Sequence, residues 1–205
     1  AVMGDSFGLE NVLWFANNKE DAHEEPTIKR SRSHDYVSRE VINVRENVGL
    51  IEVANFSKHE FKGTDARKFL DHVMAGKLPK PGRISLSPML SYRGKLCGDL
   101  TVACLDENEF MVFGSGAAQE MHRRWFESHL DKFDVNYKNR SDEFHGISIA
   151  GPNSRKVLEK IVRDDVSNEK FKFRDSRRMF VGGVPAIINR ISFTGELGYE
   201  IYVAP

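Results

Sequence analysis

The sequence predicts an α+β fold of antiparallel hairpins with helices packed against them. Three observations carry this reading. Segments of period-two alternation stand in adjacent pairs joined by short polar turns, at 83–91 with 96–105 and at 184–193 with 197–203. Segments with helical spacing stand between those pairs, at 33–48, 64–75, 117–130 and 154–162. The order strand, helix, strand, strand, helix recurs roughly twice, which predicts two similar units, each a sheet with helices on it.

Taken in order, residues 1–32 read as an N-terminal arm. Its segment from Phe7 to Phe15 is rich in aromatic and aliphatic side chains and is expected to bury, whereas 17–32 is polar, is broken by Pro26 and reads as surface loop. The rest of the chain, 33–205, reads as one domain. A helix opens at Ser33, with Val37, Val41, Val44 and Val48 forming an apolar stripe up to Gly49. A strand is expected from Leu50 to Phe56, followed by polar Ser57, Lys58, His59 and Glu60 outside it. A second helix starts with Thr64 as N-cap and buries Phe69, Leu70, Val73 and Met74. The prolines of 77–82 exclude regular structure before the first hairpin. A strand at 110–114 leads into a helix whose inner face is assigned to Ala118, Met121, Trp125 and His129. A strand at 144–150, a helix from Ser154, a charged stretch at 163–178 and the final hairpin complete the chain.

Composition narrows the function classes. The 205 residues are 40% hydrophobic and 29% charged, which suits a globular protein with a sizeable core. Thirty basic and thirty acidic residues cancel, so the charge balance supports neither a nucleic-acid nor a membrane-surface partner. No apolar run approaches the roughly 18 residues of a membrane-spanning helix. The chain starts without Met and ends straight after an apolar run, so both ends are expected to be cuts through a longer protein. Cys97 and Cys104 lie on one extended segment, more than about 20 Å apart, beyond disulfide reach. Two reduced thiols suit a bacterial cytoplasm or a mitochondrial matrix. Neither the cysteines nor the seven histidines show metal-ligand spacing, and no metal is expected. His122 and His129 are read as surface or packing residues. Dinucleotide, P-loop, zinc-protease and nucleophile-elbow motifs are all absent.

Two strand carboxylates stand out. Asp99 lies in Gly-Lys-Leu-Cys-Gly-Asp-Leu-Thr-Val-Ala-Cys (94–104), on the face shared by Cys97 and Thr101. Asp is depleted in strands because its short charged side chain competes for backbone groups, so either a solvated face or a functional carboxylate explains it. Glu200 lies in Leu-Gly-Tyr-Glu-Ile-Tyr-Val (197–203) and shares a face with Tyr202. A carboxylate there either faces outward or accepts paired N–H bonds from a 2-aminopyrimidinone ring edge.

Six segments then align in order with one family: Phe7 to Phe15, Val41 to Leu50, Phe56 to Phe61, Gly82 to Leu90, Gly98-Asp-Leu-Thr-Val102 and Phe193-Thr-Gly-Glu-Leu-Gly-Tyr-Glu200. Across nearly its whole length the chain resembles the folate-binding domain of the glycine-cleavage T-protein (aminomethyltransferase). It more closely resembles the version fused to the flavin domain of dimethylglycine and sarcosine dehydrogenases. The resemblance implies two intertwined antiparallel-sheet-plus-helix units, truncated at the C-terminus. It implies that tetrahydrofolate captures a one-carbon unit from an N-methyl amine, or from its iminium, as 5,10-methylenetetrahydrofolate. FAD, if present, belongs to an upstream domain outside this chain. Asp99 aligns with the family's essential carboxylate beside the reactive folate nitrogens, and Glu200 with the carboxylate that holds the pterin. Phe193, seven before Glu200, and Leu86, thirteen before Asp99, stand where the family has tyrosines. They keep an apolar wall and remove hydroxyls. Met89, in the segment of Leu86, joins them in the implied cofactor-binding set. A flavin-independent O- or S-demethylase and a non-catalytic folate-binding module are the competing readings.

Overall fold

The computed structural model describes residues 1–6 and 8–204. Its strands are β1 (Val2–Ser6), β2 (Leu9–Trp14), β3 (Gly49–Glu52), β4 (Ser57–Lys62), β5 (Arg83–Leu90), β6 (Leu96–Asp106), β7 (Glu109–Gly114), β8 (Asn136–Asn139), β9 (His145–Ala150), β10 (Ser176–Val181), β11 (Val184–Asn189) and β12 (Gly198–Val203). Its helices are α1 (Ser33–Glu46), α2 (Ala66–Val73), α3 (Gln119–Glu127) and α4 (Ser154–Leu158). Sheet I has the order β5-β6-β7-β4-β8, sheet II the order β10-β11-β12-β9-β3, and β1-β2 is a separate hairpin. All neighbouring strands are antiparallel. The α+β expectation of two intertwined sheet-plus-helix units is met: the chain begins sheet II with β3, builds all of sheet I, and returns to finish sheet II.

Strand alternation sorts side chains between layers. From sheet I, Leu100, Val102, Phe110, Val112 and Phe61 face α2 and α3, where they meet Phe69, Leu70 and Phe126. The opposite face turns Ile84, Ala103, Met111 and Phe113 onto Ile187 and Tyr202 of sheet II. The outer face of sheet II buries Ile149, Ile188, Tyr199 and Ile201 against Leu158 of α4 and Val162. The layers therefore run helix, sheet, sheet, helix. The inter-sheet layer is sealed by the Phe113–Tyr202 ring pair, 4.4 Å between centroids. It is pinned at its rim by Arg83 paired with Asp175 and by Arg178 with Glu109 at 2.6 Å.

Several expectations change. Ser57, Lys58, His59 and Glu60, read as a polar segment after a strand, belong to the strand β4, and with Phe61 they are all buried. Alternation could not find it because both of its faces are covered, so its side chains do not sort into a dry and a wet row. Lys58 donates to the carbonyls of Ala54 (2.6 Å), Phe56 (2.7 Å) and Ser141 (3.3 Å). Thr64 does not cap α2; its hydroxyl donates to Asp134 Oδ2 at 2.8 Å. The buried residues of α3 are His122 and Phe126, and Met121 is exposed, so the helix is rotated from the expected face. No residue of α1 is buried against the described residues, despite its valine stripe. In the arm, Trp14 is buried while Leu9, Val12, Leu13 and Phe15 are exposed; Phe7 lies outside the described residues. The charged stretch at 163–178 supplies the start of β10, and β8 was not anticipated.

The burial of β4 sets two expected outcomes. Burial lowers the basicity of Lys58, yet its ammonium answers three carbonyls. Lys58→Met, followed by urea denaturation, is expected to cost about 2–4 kcal/mol, since orphaned buried carbonyls are expensive. A loss below about 0.5 kcal/mol contradicts that role. Burial, with a lesser contribution from His122, lowers His59 to about 4. The unfolded chain therefore takes up this proton first. Stability is full above about pH 6.5, falls as pH drops toward 4 and then levels, and the total loss is on the order of 3 kcal/mol. A His59→Phe variant should flatten that part of the stability–pH curve.

Candidate functional site

Asp99 is the fourth residue of β6, on the face of sheet I that carries Thr101 and Ala103 toward sheet II. Its cross-strand partner is Pro88, and Thr101 stands between Leu86 on β5 and Phe113 on β7. Asp99 is exposed at the edge of an open cavity of about 260 Å³ lined by Leu96, Cys97, Gly98, Ser115, Ala118 and His122. Leu86, on the same face, is 62% exposed, so the apolar wall beside Asp99 is open to solvent.

Glu200 sits on β12 in a row that crosses sheet II through Ser176, Asn189, Glu200 and Ser148, all buried and all facing sheet I. Ser176 donates to Asn189 Oδ1 at 2.7 Å, and the Tyr202 hydroxyl donates to Glu200 Oε2 at 2.9 Å. Asn189 Nδ2 is buried without a hydrogen-bond partner among the described residues. Glu200 is only 8% exposed, and burial raises its pKa against the opposing hydrogen bond from Tyr202. Burial also raises the Tyr202 phenol well above its ordinary range, so it stays a donor.

The two carboxylates thus belong to facing sheets, and a series of neighbours runs between their strands. Asp99 is two residues from Thr101, Thr101 pairs with Phe113, Phe113 stacks on Tyr202, and Tyr202 holds Glu200. The structure brings Asp99 and Leu86 to one face, with Glu200 on the sheet opposite. It does not bring Met89 there. Met89 is fully buried among Leu100, Val102 and Phe126, on the far side of β5 from Leu86, and supports the strand from behind. Phe193 lies in the loop before β12 and is 93% exposed, so it walls nothing within this chain. Asn189 and His122 were missed. The hairpin expected from the sequence sets Asn189 opposite Ile201; the longer loop actually present shifts the register and sets it beside Glu200. His122 needed the rotation of α3. Both cysteines are free. Among the described residues, no three His, Cys, Asp or Glu side chains gather to hold a metal, and no helix is long and apolar enough to cross a membrane.

Comparison with known proteins identifies the family and the fold. The family described as the GCVT N-terminal domain matches residues 1–205. The chain is 36% identical over 203 residues to mitochondrial dimethylglycine dehydrogenase of Mus musculus, covering 98% of this chain and 23% of that protein. It is 34% identical over 204 residues to the sarcosine oxidase alpha subunit of Rhizobium meliloti, covering 95% of this chain and 20% of that one. The chain therefore spans less than a quarter of either relative. In fold it is similar to the glycine cleavage system aminomethyltransferase T of Bartonella henselae, with a TM-score of 0.71 at 21% identity over 81% of this chain and 44% of that one.

The desolvated carboxylate makes a stability prediction. Because burial raises the pKa of Glu200, its protonated form is the one the fold favours. That stability is present below the unfolded pKa and is lost as pH rises through the folded one. Glu200→Gln, which keeps the acceptor for Tyr202, should melt above the wild type at pH 8, with the difference shrinking toward pH 4. A lower melting temperature across the range contradicts this.

Proposed function

The chain belongs to the GCVT N-terminal domain family, and from that premise we propose that it is the tetrahydrofolate-dependent one-carbon-transfer domain of a larger amine-oxidising enzyme. The observation that carries the reading is the pair of strand carboxylates on facing sheets, one buried and one exposed, on strands packed together by the Phe113–Tyr202 ring pair. Tetrahydrofolate, when bound, supplies two neighbouring nitrogens that accept a one-carbon fragment at the formaldehyde oxidation level.

The residues present fit such a ring. Glu200 offers acceptor oxygens fixed by Tyr202, and Asn189 Nδ2, directly across the strand pair, is a donor without a protein partner among the described residues. An acceptor beside a donor on one sheet row matches the alternating edge of a 2-aminopyrimidinone. Desolvation strengthens each such bond. Asp99 has a different role. Its exposed carboxylate lies on the open side of the inter-sheet layer, free to steady a cationic iminium and to take a proton from nitrogen at its own oxygen. Leu86 keeps that side apolar.

The names of the relatives, a dimethylglycine dehydrogenase and a sarcosine oxidase subunit, favour an N-methyl amine as the source of the fragment over an O- or S-methyl donor. In this reading a flavin domain outside the chain oxidises the amine, in a mitochondrial matrix or a bacterial cytoplasm.

Asp99→Asn in the full-length enzyme should lower methylene transfer to tetrahydrofolate by about 10²- to 10⁴-fold. Tetrahydrofolate binding, read by calorimetry, should be retained in that variant and lost in Glu200→Ala. Near-normal transfer with Asn at position 99 would sink the assignment.

A further inference from the structure

The strand that carries Asp99 is irregular just before it. Met89 pairs with Gly98 and Leu90 pairs with Leu96, so Cys97 is an extra residue with no partner on β5. Such a bulge bends a strand and re-aims the side chains that follow. Its geometry is not set by the ladder, so something else must hold it.

His122 is placed to do so. It reaches from α3, is 2% exposed, and its Nε2 lies 3.2 Å from the carbonyl oxygen of Cys97. A carbonyl only accepts, so His122 presents Nε2–H to it and leaves Nδ1 bare. Burial lowers the basicity of His122 and keeps the ring neutral. The approach depends on the adjoining glycine: a Cβ on Gly98 would stand 2.9 Å from His122 Nε2. His122 and Asp99 then border the same open cavity from two sides. On its far side the ring meets β4, with its centroid 6.2 Å from that of His59, so it cannot swing away from the strand without disturbing the core.

We infer that His122 is a positioning residue: by holding the Cys97 carbonyl it fixes the β6 bulge and so sets the direction of Asp99 at the open cavity both residues border. The inference rests on the role proposed for Asp99. It assigns His122 no contact with substrate and no proton transfer. It also accounts for Gly98, the one residue between the clamped carbonyl and the carboxylate, which must lack a side chain for the ring to reach the strand.

The test uses the full-length enzyme. His122→Leu should bind tetrahydrofolate within about threefold of wild type while kcat for methylene transfer falls about 10- to 100-fold, the cost of a carboxylate misplaced by about 1 Å. His122→Gln, whose amide can donate to the same carbonyl, should recover most of kcat. A second readout is independent of turnover: iodoacetamide labelling of the Cys97 peptide should be several-fold faster in His122→Leu, with Cys104, buried in the core, still protected. Gly98→Ala, which pushes the ring off without removing it, should reproduce both effects. Wild-type kcat and wild-type Cys97 labelling in His122→Leu overturn the inference. So does loss of Cys104 protection in both His122→Leu and Gly98→Ala, which makes His122 a packing residue only. Asp99→Asn run in parallel separates the two claims: if that variant transfers normally, the proposed function fails, while Cys97 labelling still judges the clamp.

Discussion

The arrangement depends on one buried ammonium. Sheet II is begun before sheet I and completed after it, so the chain crosses between them twice, at 53–56 and at 140–144. Lys58 ties both crossings. Its Nζ answers carbonyls of Ala54 and Phe56 on the first and of Ser141 on the second, and Val53 N donates to Gly146 O of β9 at 2.8 Å, holding the first passage to sheet II. The stem of the same side chain shares a face of sheet I with Phe113, and its charge lies 6.0 Å from the centre of the Tyr202 ring. Without a group able to donate three bonds there, the crossings would leave carbonyls unanswered in the core, and the two sheets would not be held face to face.

That constraint gives the two carboxylates unlike surroundings. Glu200 lies within the layer, dry and hydrogen-bonded by its neighbour Tyr202, so its charge is costly and its geometry is definite. Asp99 lies where the layer opens, hydrated and flanked by Leu86 and the Cys97 bulge. A dry, oriented acceptor suits recognition of a fixed ring edge. A hydrated carboxylate suits stabilising charge that appears and disappears during reaction. The same residue type is specialised by depth alone, and depth follows from the distance of each residue from the ring pair that seals the sheets.

Legibility followed the same physics. Hairpins with one dry face alternate, so β5, β6 and β12 could be read within a residue at their inner ends, and with them the faces of Asp99 and Glu200, while β11 stops four residues short of its expected end. β4 could not be read. Buried on both sides, it carries Ser57, Lys58, His59 and Glu60, and it meets groups 83 and 78 residues away, in the bonds from Lys58 N to Ser141 Oγ and between His59 and the Tyr137 hydroxyl. The valines of α1 predicted a buried stripe that the described residues do not cover. In α3 the apolar Met121 gave the wrong phase, because the inner position is held by a histidine with a strand carbonyl to meet. Met89 looked like a member of the site because it is close in sequence to Leu86, yet one odd step along a strand reverses the face.

By itself the chain determined the α+β class, the hairpins, the carboxylate-bearing strands and, through an ordered series of short segments, the family. These are local properties of alternation, turns and spacing, which need no knowledge of what lies opposite. Only the tertiary structure decided that Glu200 is dry and Asp99 wet, that Lys58 joins the crossings, and that His122 holds the strand ahead of Asp99. Each of these depends on which distant surfaces cover a residue and which distant carbonyls it must satisfy, and burial and hydrogen-bond partnership are properties of the assembled layers.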